Sequence, residues 1–274
     1  MTRTNALGDY LRARRALVDP ADAGLRVVGV RRTPGLRREE VATLAGISAD
    51  YYLRLEQGRD RNPSPQVLDA LARVFGLDAE ATHYLMSLSA ARPRAPRRPR
   101  RETVPTGIRQ LLDVLALPAF VESRMFEVLA ANRLATALSP SIRPGLNRLR
   151  AMFLDPGERD LHPDWEQAIA GMVAAFRTSL GTDADDPRIE QLVGELSLAS
   201  EHFRALWARH DVKALAGAPV RMRHPDVGDL ELRREKLTIG DTGGQLLVIY
   251  HAEPGSPTER ALALLGSLAA SSLA

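Results

Sequence analysis

The spacing of apolar positions changes partway along the chain, and the change predicts two domains. In the first 91 residues, apolar side chains recur every three or four positions, which is typical of short amphipathic helices. Five helices are predicted there: one near 5–17, two within 38–58, and one each near 65–76 and 78–90. From residue 105 onward, helical spacing alternates with the two-residue spacing of strands. The pattern predicts a mainly α domain over 1–91 and an α+β domain over 105–274.

The second region begins with a predicted helix at 106–116 and two strands at 118–123 and 125–132. Helical pieces follow over 133–180, interrupted by prolines, and a further helical region covers 187–209. Strand-like segments return at 219–225, 229–239 and 245–252, and a helix near 258–270 comes last. Two strands, a block of helices and three strands indicate a small antiparallel sheet with helices on one face.

Residues 92–104 between the two regions are predicted to be a linker. The segment 92–101 contains six arginines and three prolines and no apolar side chain large enough to pack. Prolines favour an extended spacer, and like charges repel one another. We also consider the hypothesis that this basic arm follows DNA phosphates, in which case removing its charges should flatten the salt dependence of binding.

Charge is divided unevenly between the two regions. Residues 1–104 hold 19 arginines and 12 acidic residues, net +7, whereas the remainder is net −4. A basic first region is the footprint expected of a protein that binds the phosphate backbone of double-stranded DNA. The sequence has no cysteine, which excludes disulfides and thiolate zinc sites. It also lacks a secretory signal and an apolar run near ~20 residues, so we expect a cytoplasmic, nucleoid-associated protein.

Residues 38–58, REEVATLAGISADYYLRLEQG, have the pattern of a helix-turn-helix motif. Ala42 is small where the two helices cross, and Gly46 suits a turn that needs positive φ. Ser48 is a natural N-cap for the second helix, Tyr52 is expected to point into the core, and Gly58 is placed to end the helix. A plain helical hairpin is the alternative, but it does not explain the Gly-Ile-Ser corner.

The second helix of such a motif presents its first turns to base edges in the major groove. Its outward positions, predicted to contact bases, are Ala49, Asp50, Tyr51 and Arg54. Arg54 is the strongest candidate because a guanidinium can bind guanine through two hydrogen bonds, and Asp50 either accepts from cytosine or buttresses Arg54. The predicted phosphate contacts are Arg37, Arg38, Ser48, Arg59, Arg61 and Asn62. A monomeric domain this small binds DNA weakly. We therefore expect a homodimer on an inverted repeat, with half-sites about 34 Å or a multiple of that apart.

On these residues, the chain resembles the MmyB-like transcriptional regulators, with an Xre-type helix-turn-helix domain first. The stretches that carry the resemblance include RRTPGLRREEVATLAGISADYYLRLEQGRDRNPSPQVLDALARVFGLD, LLDVLALPAFV, LHPDWEQ, DDPRIEQLVGELSLASEHFRALWARHDV, VRMRHPDVGDLELRREKL and AEPGSPTERALALL. They cover most of residues 5–265. The resemblance implies a PAS-like second domain and a ligand-responsive regulator, a repressor, with a fatty-acid-like or other small apolar ligand.

Within the second domain, bulky residues and a charged helix end are the candidate ligand site. A mostly apolar pocket with a few polar groups is the usual small-molecule site. The candidates are Phe120, Phe126, Trp165, Phe176, Phe203, Trp207, Arg209, His210 and Tyr250. Arg209 or His210 would hold a carboxylate head group, with Trp207 and Phe203 along the tail. In the competing interpretation the aromatics are ordinary core and the charged residues cap a helix.

Other functions are less well supported by the sequence. The six histidines show no metal-ligand spacing, and no nucleotide or hydrolase fingerprint is present, so we predict no metal, no cofactor and no enzymatic activity. The pair His210 and Asp211 invites a catalytic interpretation, but such pairs are common by chance. A third alternative keeps the DNA-binding domain and makes the second domain a fixed dimerisation or protein-docking module. The sequence does not separate this module from a sensor.

Overall fold

A computed structural model describes residues 5–25, 34–60, 62–89, 102–180, 186–214 and 217–271. The predicted arginine- and proline-rich arm at 92–101 lies outside these residues. Within them, the N-terminal domain contains α1 (Ala6–Leu17), α2 (Arg38–Ala45), α3 (Ala49–Glu56), α4 (Pro65–Val74) and α5 (Ala79–Ser89). The five-helix prediction is therefore confirmed. One apolar core, centred on Tyr10, Leu11, Tyr52, Leu55 and Leu71, unites them.

The C-terminal domain is α+β, as predicted. Its elements in chain order are α6 (Thr106–Val114), β1 (Ala119–Glu122), β2 (Val128–Ala131), α7 (Arg133–Leu138), α8 (Arg148–Leu154), α9 (Pro156–Asp160), α10 (Trp165–Leu180), α11 (Pro187–Ala199), α12 (Glu201–Ala208), β3 (Ala218–His224), β4 (Gly228–Thr238), β5 (Leu246–His251) and α13 (Pro257–Ser271). In the described part of the chain, the strands form one antiparallel sheet in the order β2-β1-β5-β4-β3.

The sheet carries helices on both faces, whereas the pattern predicted them on one. The face bearing Phe120 and Val248, which pair across β1 and β5, packs against α7 and α13. On the opposite face, Val121 and Leu247 pack with Leu112 of α6. Side chains alternate between faces along a strand, so two apolar faces need two covers. The short runs AFV in β1 and LLVI in β5 are apolar at every position, a pattern that indicates burial on both faces of the sheet.

The helical region predicted over 187–209 is two helices separated at Ser200. The backbone of Ser200 is extended, with φ −136°, so α11 ends there. Its side chain accepts a hydrogen bond from the Phe203 amide at 3.2 Å and caps the start of α12. A serine that caps one helix while interrupting another is favoured because its short side chain competes for backbone amides. The break turns α12 so that Phe203 enters the core.

Candidate DNA-binding and ligand-binding sites

The corner between α2 and α3 has the geometry predicted for a helix-turn-helix. Gly46 is in the left-handed region, with φ 69°, and its neighbour Ile47 donates a backbone hydrogen bond to Ala42 O at 3.0 Å. The Ser48 hydroxyl accepts from the Tyr51 amide at 3.1 Å, which caps α3. Tyr52 is fully buried, as expected of a core residue. These local contacts leave the opposite face of α3 to solvent.

A buried carboxylate fixes the C-terminal end of α3. Glu56 is 1% exposed and binds Arg15 Nε of α1 and Arg38 Nε of α2, each at 2.6 Å. Arg15 also donates to the Leu36 carbonyl at 2.8 Å. Burial by itself would raise the pKa of Glu56, but hydrogen bonds from the two arginines outweigh burial and lower it. The ionised carboxylate therefore ties three helices together and sets the orientation of α3.

The predicted base-contacting residues share the outward face of α3. Ala49 and Asp50 are exposed, and Tyr51 and Arg54 are half-buried. Arg54 forms an ion pair with Asp50 one turn earlier, and its guanidinium lies over the Tyr51 ring, 5.7 Å from the centroid. The pair agrees with the expected buttress. Asp50 and the Tyr51 ring therefore hold the Arg54 guanidinium on the outward face of α3.

The predicted phosphate contacts differ in how free their side chains are. Arg37, Arg59 and Asn62 are exposed around the motif, whereas the guanidinium of Arg38 is bound to Glu56. The backbone amide of Arg37 donates to Glu40 Oε2 at 2.6 Å, a contact that caps the start of α2. The hydroxyl of Ser48 accepts within the helix cap and retains its own proton to donate. Arg61 lies outside the described residues.

An open cavity of about 500 Å³ lies between α10 and the sheet face that bears Phe120 and Val248, here called the inner face, with Glu80 of the N-terminal domain at its edge. Its apolar wall includes Phe126, Met152, Met172 and Ala175. Its polar lining holds five cations, Arg148, Lys213, Arg221, Arg234 and Lys236, against the two carboxylates of Glu80 and Asp164, with the Tyr250 phenol beside them. Asp164 is paired with Arg221 at 2.5 Å. A cavity of this size with one apolar side and one charged side suits a small amphipathic ligand.

One buried carboxylate serves two of these cations. Glu122 is fully buried and accepts from Lys236 Nζ at 2.6 Å and from Arg148 Nη1 at 3.0 Å. Arg148 also reaches the Tyr250 hydroxyl at 3.4 Å. Burial would raise the pKa of Glu122, but the charges of Lys236 and Arg148 outweigh it and the pKa is lowered. The cluster therefore holds two cations against one anion.

Arg234 adds further positive charge at the same place. It lies two positions before Lys236 on the inner face of β4, and its buried Nε has no hydrogen-bond partner among the described residues. Arg148 Nε is in the same condition. Burial lowers the pKa of Lys236, and the charge of Arg234 acts in the same direction. Unpartnered donors in a cation-rich cavity are costly unless an acceptor enters, so the lining favours an anionic group.

Only two of the nine predicted ligand residues, Phe126 and Tyr250, line this cavity. Phe120 stacks on Tyr250 behind it, with centroids 6.3 Å apart, and belongs to the core. Phe176, Phe203 and Trp207 pack together in a separate helical core, in which the last two rings stack at 5.8 Å. The indole of Trp165 donates to the Met152 carbonyl at 2.9 Å. For Phe120, Phe176, Phe203 and Trp207, the structure agrees with the ordinary-core interpretation.

The two predicted head-group residues also lie elsewhere. Arg209 is exposed and pairs with Asp211 at 2.8 Å. His210 contacts Arg177 Nη1 through Nδ1 at 3.1 Å and packs edge-on against Tyr10 of the N-terminal domain. Burial, together with the charge of Arg177, lowers the pKa of His210 to about 3, so the ring stays neutral. A neutral ring between domains does not serve as the cationic partner of a carboxylate.

Comparison with known families agrees with both parts of this geometry. Residues 104–265 match the ligand-binding domain of MmyB-like transcription regulators, and residues 6–85 match a helix-turn-helix domain. The chain belongs to the MmyB-like transcription regulators. It is thus a DNA-binding transcription regulator with a small-molecule-binding domain. A search of curated proteins found no match.

The main cavity-lining residues of this MmyB-like regulator that sequence reasoning missed are charged. Arg234 and Lys236 follow Leu230 and Leu232 on the same face of β4, so a signal exists in DLELRREK: an inward register that changes from leucine to cation. The sequence has only two lysines, Lys213 and Lys236, and both line the cavity.

Two absences apply to the described residues alone. No described helix is long and apolar enough to cross a membrane. No group of three or more histidines and acidic residues in the described ranges has an arrangement that could hold a metal ion. The families matched are regulator domains, which is consistent with a protein that is not an enzyme.

Proposed function

We propose that this regulator is a homodimeric repressor that reads an inverted-repeat operator through α3 and is released by an amphipathic carboxylate. The solvent face of α3 supports the DNA half, because Arg54 is held there beside Asp50 and is flanked by the exposed Arg37 and Arg59. One eight-residue helix covers few base pairs. A two-fold pair of such helices, about 34 Å apart or a multiple of that, would supply the missing contacts.

The observation that carries the ligand half is the excess of cations at the cavity. Arg148 and Lys236 share the single carboxylate of Glu122, and Arg234 adds a buried donor with no partner among the described residues. Excess buried charge is destabilising unless it is compensated. A carboxylate placed near Arg234 would compensate it, while a hydrocarbon chain lay along Phe126 and the methionines. A fatty-acid-like ligand combines both parts.

Native mass spectrometry of the purified chain, before and after denaturation, tests the proposal. We expect a dimer that releases a discrete small mass bearing an acidic group. An empty dimer that also fails to bind added decanoate would favour the second candidate, a C-terminal domain that only dimerises or docks a protein. An empty monomer would contradict the inverted-repeat operator as well.

A pair of matched variants tests where the carboxylate binds. Arg234→Gln should weaken decanoate binding by about ten- to a hundredfold, because a charge-assisted hydrogen bond is worth roughly 1.5–3 kcal/mol. Arg223→Gln is the control, since Arg223 lies on the neighbouring strand with its side chain 66% exposed and paired with Asp229. Isothermal titration calorimetry on both variants gives the comparison. Equal affinity for the two would contradict the proposed head-group site.

A further inference from the structure

The chain after α12 docks onto the DNA-binding domain. Residues 209–214, here called the docking segment, reach α1 and α5 through specific polar contacts. Asp211 accepts from Arg14 Nη1 at 2.9 Å, and the Ala214 amide donates to Glu80 Oε2 at 2.7 Å. Between them, Val212 packs against the apolar core of the N-terminal domain. The docking segment therefore holds two helices of the helix-turn-helix domain against the C-terminal domain.

A buried arginine connects the docking segment to the interior of the C-terminal domain. Arg177 of α10 is 7% exposed, and its guanidinium stacks over Trp207, 3.8 Å from the ring centroid. It donates to the Trp207 carbonyl at 2.5 Å and contacts His210. Its charge also acts on the buried phenol of Tyr84 in α5. A displacement of α10 or Trp207 would therefore change the contacts of Arg177 at the domain boundary directly.

The backbone of His210 is in the left-handed region, with φ 55°. A residue with a side chain adopts this conformation at some cost, and it persists where surrounding contacts fix it. Here those contacts are Tyr10 on the N-terminal side and Arg177 on the other. Loss of the Tyr10 contact would let the His210 backbone leave the left-handed region. Docking therefore helps to maintain this strained conformation.

The docking contacts also border the cavity. Glu80, Lys213 and Ala214 line it together with the cations described above. The carboxylate of Glu80 stands on the rim, bound to the Ala214 amide, and therefore opposes an incoming anion. A ring path leads inward as well: Phe126 of the cavity wall meets Phe176 at 5.5 Å, and Phe176 meets Trp207 at 5.9 Å.

We propose that ligand binding and docking of the DNA-binding domain are mutually antagonistic, with Glu80 and Asp211 as the residues that hold the docked state. The proposal rests on the proposed ligand site and adds its regulation. Glu80 repels an anionic ligand, so a ligand that enters the cavity displaces Glu80 from the edge that it forms with Ala214. By thermodynamic linkage, the factor by which docking weakens ligand binding equals the factor by which ligand binding weakens docking.

Spin-label distances in the full-length chain test this coupling. The sequence has no cysteine, so Asp69→Cys on α4 and Leu198→Cys on α11 place one label in each domain at exposed sites. The labelled chain is mixed with an excess of unlabelled chain, so that distances between the two protomers of a dimer do not contribute. Double electron–electron resonance is measured without ligand and with decanoate, in the parent and in Glu80→Ala and Asp211→Asn variants. Asp211 does not line the cavity, so its variant affects the ligand only through docking. Glu195→Ala, which breaks the exposed Arg150 pair, is the control.

We expect one main distance in the ligand-free parent and a second, longer population with decanoate. Both docking variants should show that population without ligand and bind decanoate about fivefold or more tightly, the lower range of usual coupling. The control should match the parent. Decanoate binding with unchanged distances, or Asp211→Asn moving the domains with unchanged affinity, would overturn the coupling alone. No decanoate binding in the parent or either variant would overturn the proposed ligand class and the coupling with it.

Discussion

Replacing Glu122 by glutamine should expose the charge imbalance of the cavity as a loss of stability. The variant keeps the shape of the side chain but leaves Lys236 and Arg148 buried without a counter-charge. The side chains of these two cations are 4% and 6% exposed, so solvent does not screen them and the small value of a surface pair does not apply. Removing one partner of a buried pair costs about 3–5 kcal/mol. We expect the free energy of unfolding to fall by that amount.

A carboxylate ligand should restore much of this loss. Decanoate at about one hundred times its Kd would add about 2.7 kcal/mol. It should also bind the Glu122→Gln variant more tightly than the parent, because the competing internal carboxylate is gone. Urea unfolding followed by tryptophan fluorescence reports on the relevant domain, since Trp165 and Trp207 are the only tryptophans and both lie in it.

Two controls make the result interpretable. Glu195→Gln removes a carboxylate from an exposed arginine pair in the same domain and should change stability by less than about 1 kcal/mol. Methyl decanoate has the same chain without the charge and should not rescue the variant. The reasoning is refuted if Glu122→Gln unfolds like Glu195→Gln, or if the ester stabilises the variant as well as the acid does.

Three other predictions concern the DNA-binding domain and its docking. Glu56→Gln should destabilise the N-terminal domain by about 3–5 kcal/mol, because it leaves buried arginine charge unpaired. Faster hydrogen exchange of the α1 to α3 amides should show the loss. Asp50→Asn, which breaks an exposed pair, is the control and should have little effect. Arg54→Ala should relax operator preference at one base pair by about 1–3 kcal/mol in a binding-site selection, with only partial recovery in Arg54→Lys; an unchanged preference would exclude Arg54 from base contact. Docking should weaken as the pH falls below about 6.5. The solvated ring of undocked His210 takes up a proton in that range, whereas the docked ring, whose pKa is lowered to about 3, does not. Label distances that are the same at pH 7.5 and pH 5 would contradict this prediction.

The helix-turn-helix followed from the sequence because its rules are local. Gly46 adopts a positive φ, Ser48 caps the helix that follows it, and Tyr52 is buried within a few residues of both. Each of these preferences depends on neighbours three or four positions away, which a sequence displays directly. The glutamate that anchors α3 was not anticipated, since Arg15 is 41 residues from Glu56.

The ligand site depended on contacts that no local pattern contains. The aromatic face of α12 was visible at helical spacing, but the pattern did not say that Phe203 and Trp207 would meet Phe176 rather than a ligand. Burial of bulky side chains is the same signal for core and for pocket. Tertiary packing placed these rings in the helical core, whereas Phe126 of the same core and Tyr250 of the sheet core also line the cavity.

The sequence by itself determined the division into two domains, the order of most helices and strands, the helix-turn-helix motif and the family, because periodicity, caps and turn residues act over a few positions. Only the tertiary structure decided which charges share the cavity and which meet between the domains. Glu122 and Lys236 are 114 residues apart, and Arg14 and Asp211 are 197 apart. Such pairs form only after strand register and helix packing bring distant segments together, and it is there that this regulator places its ligand chemistry and its docking contacts.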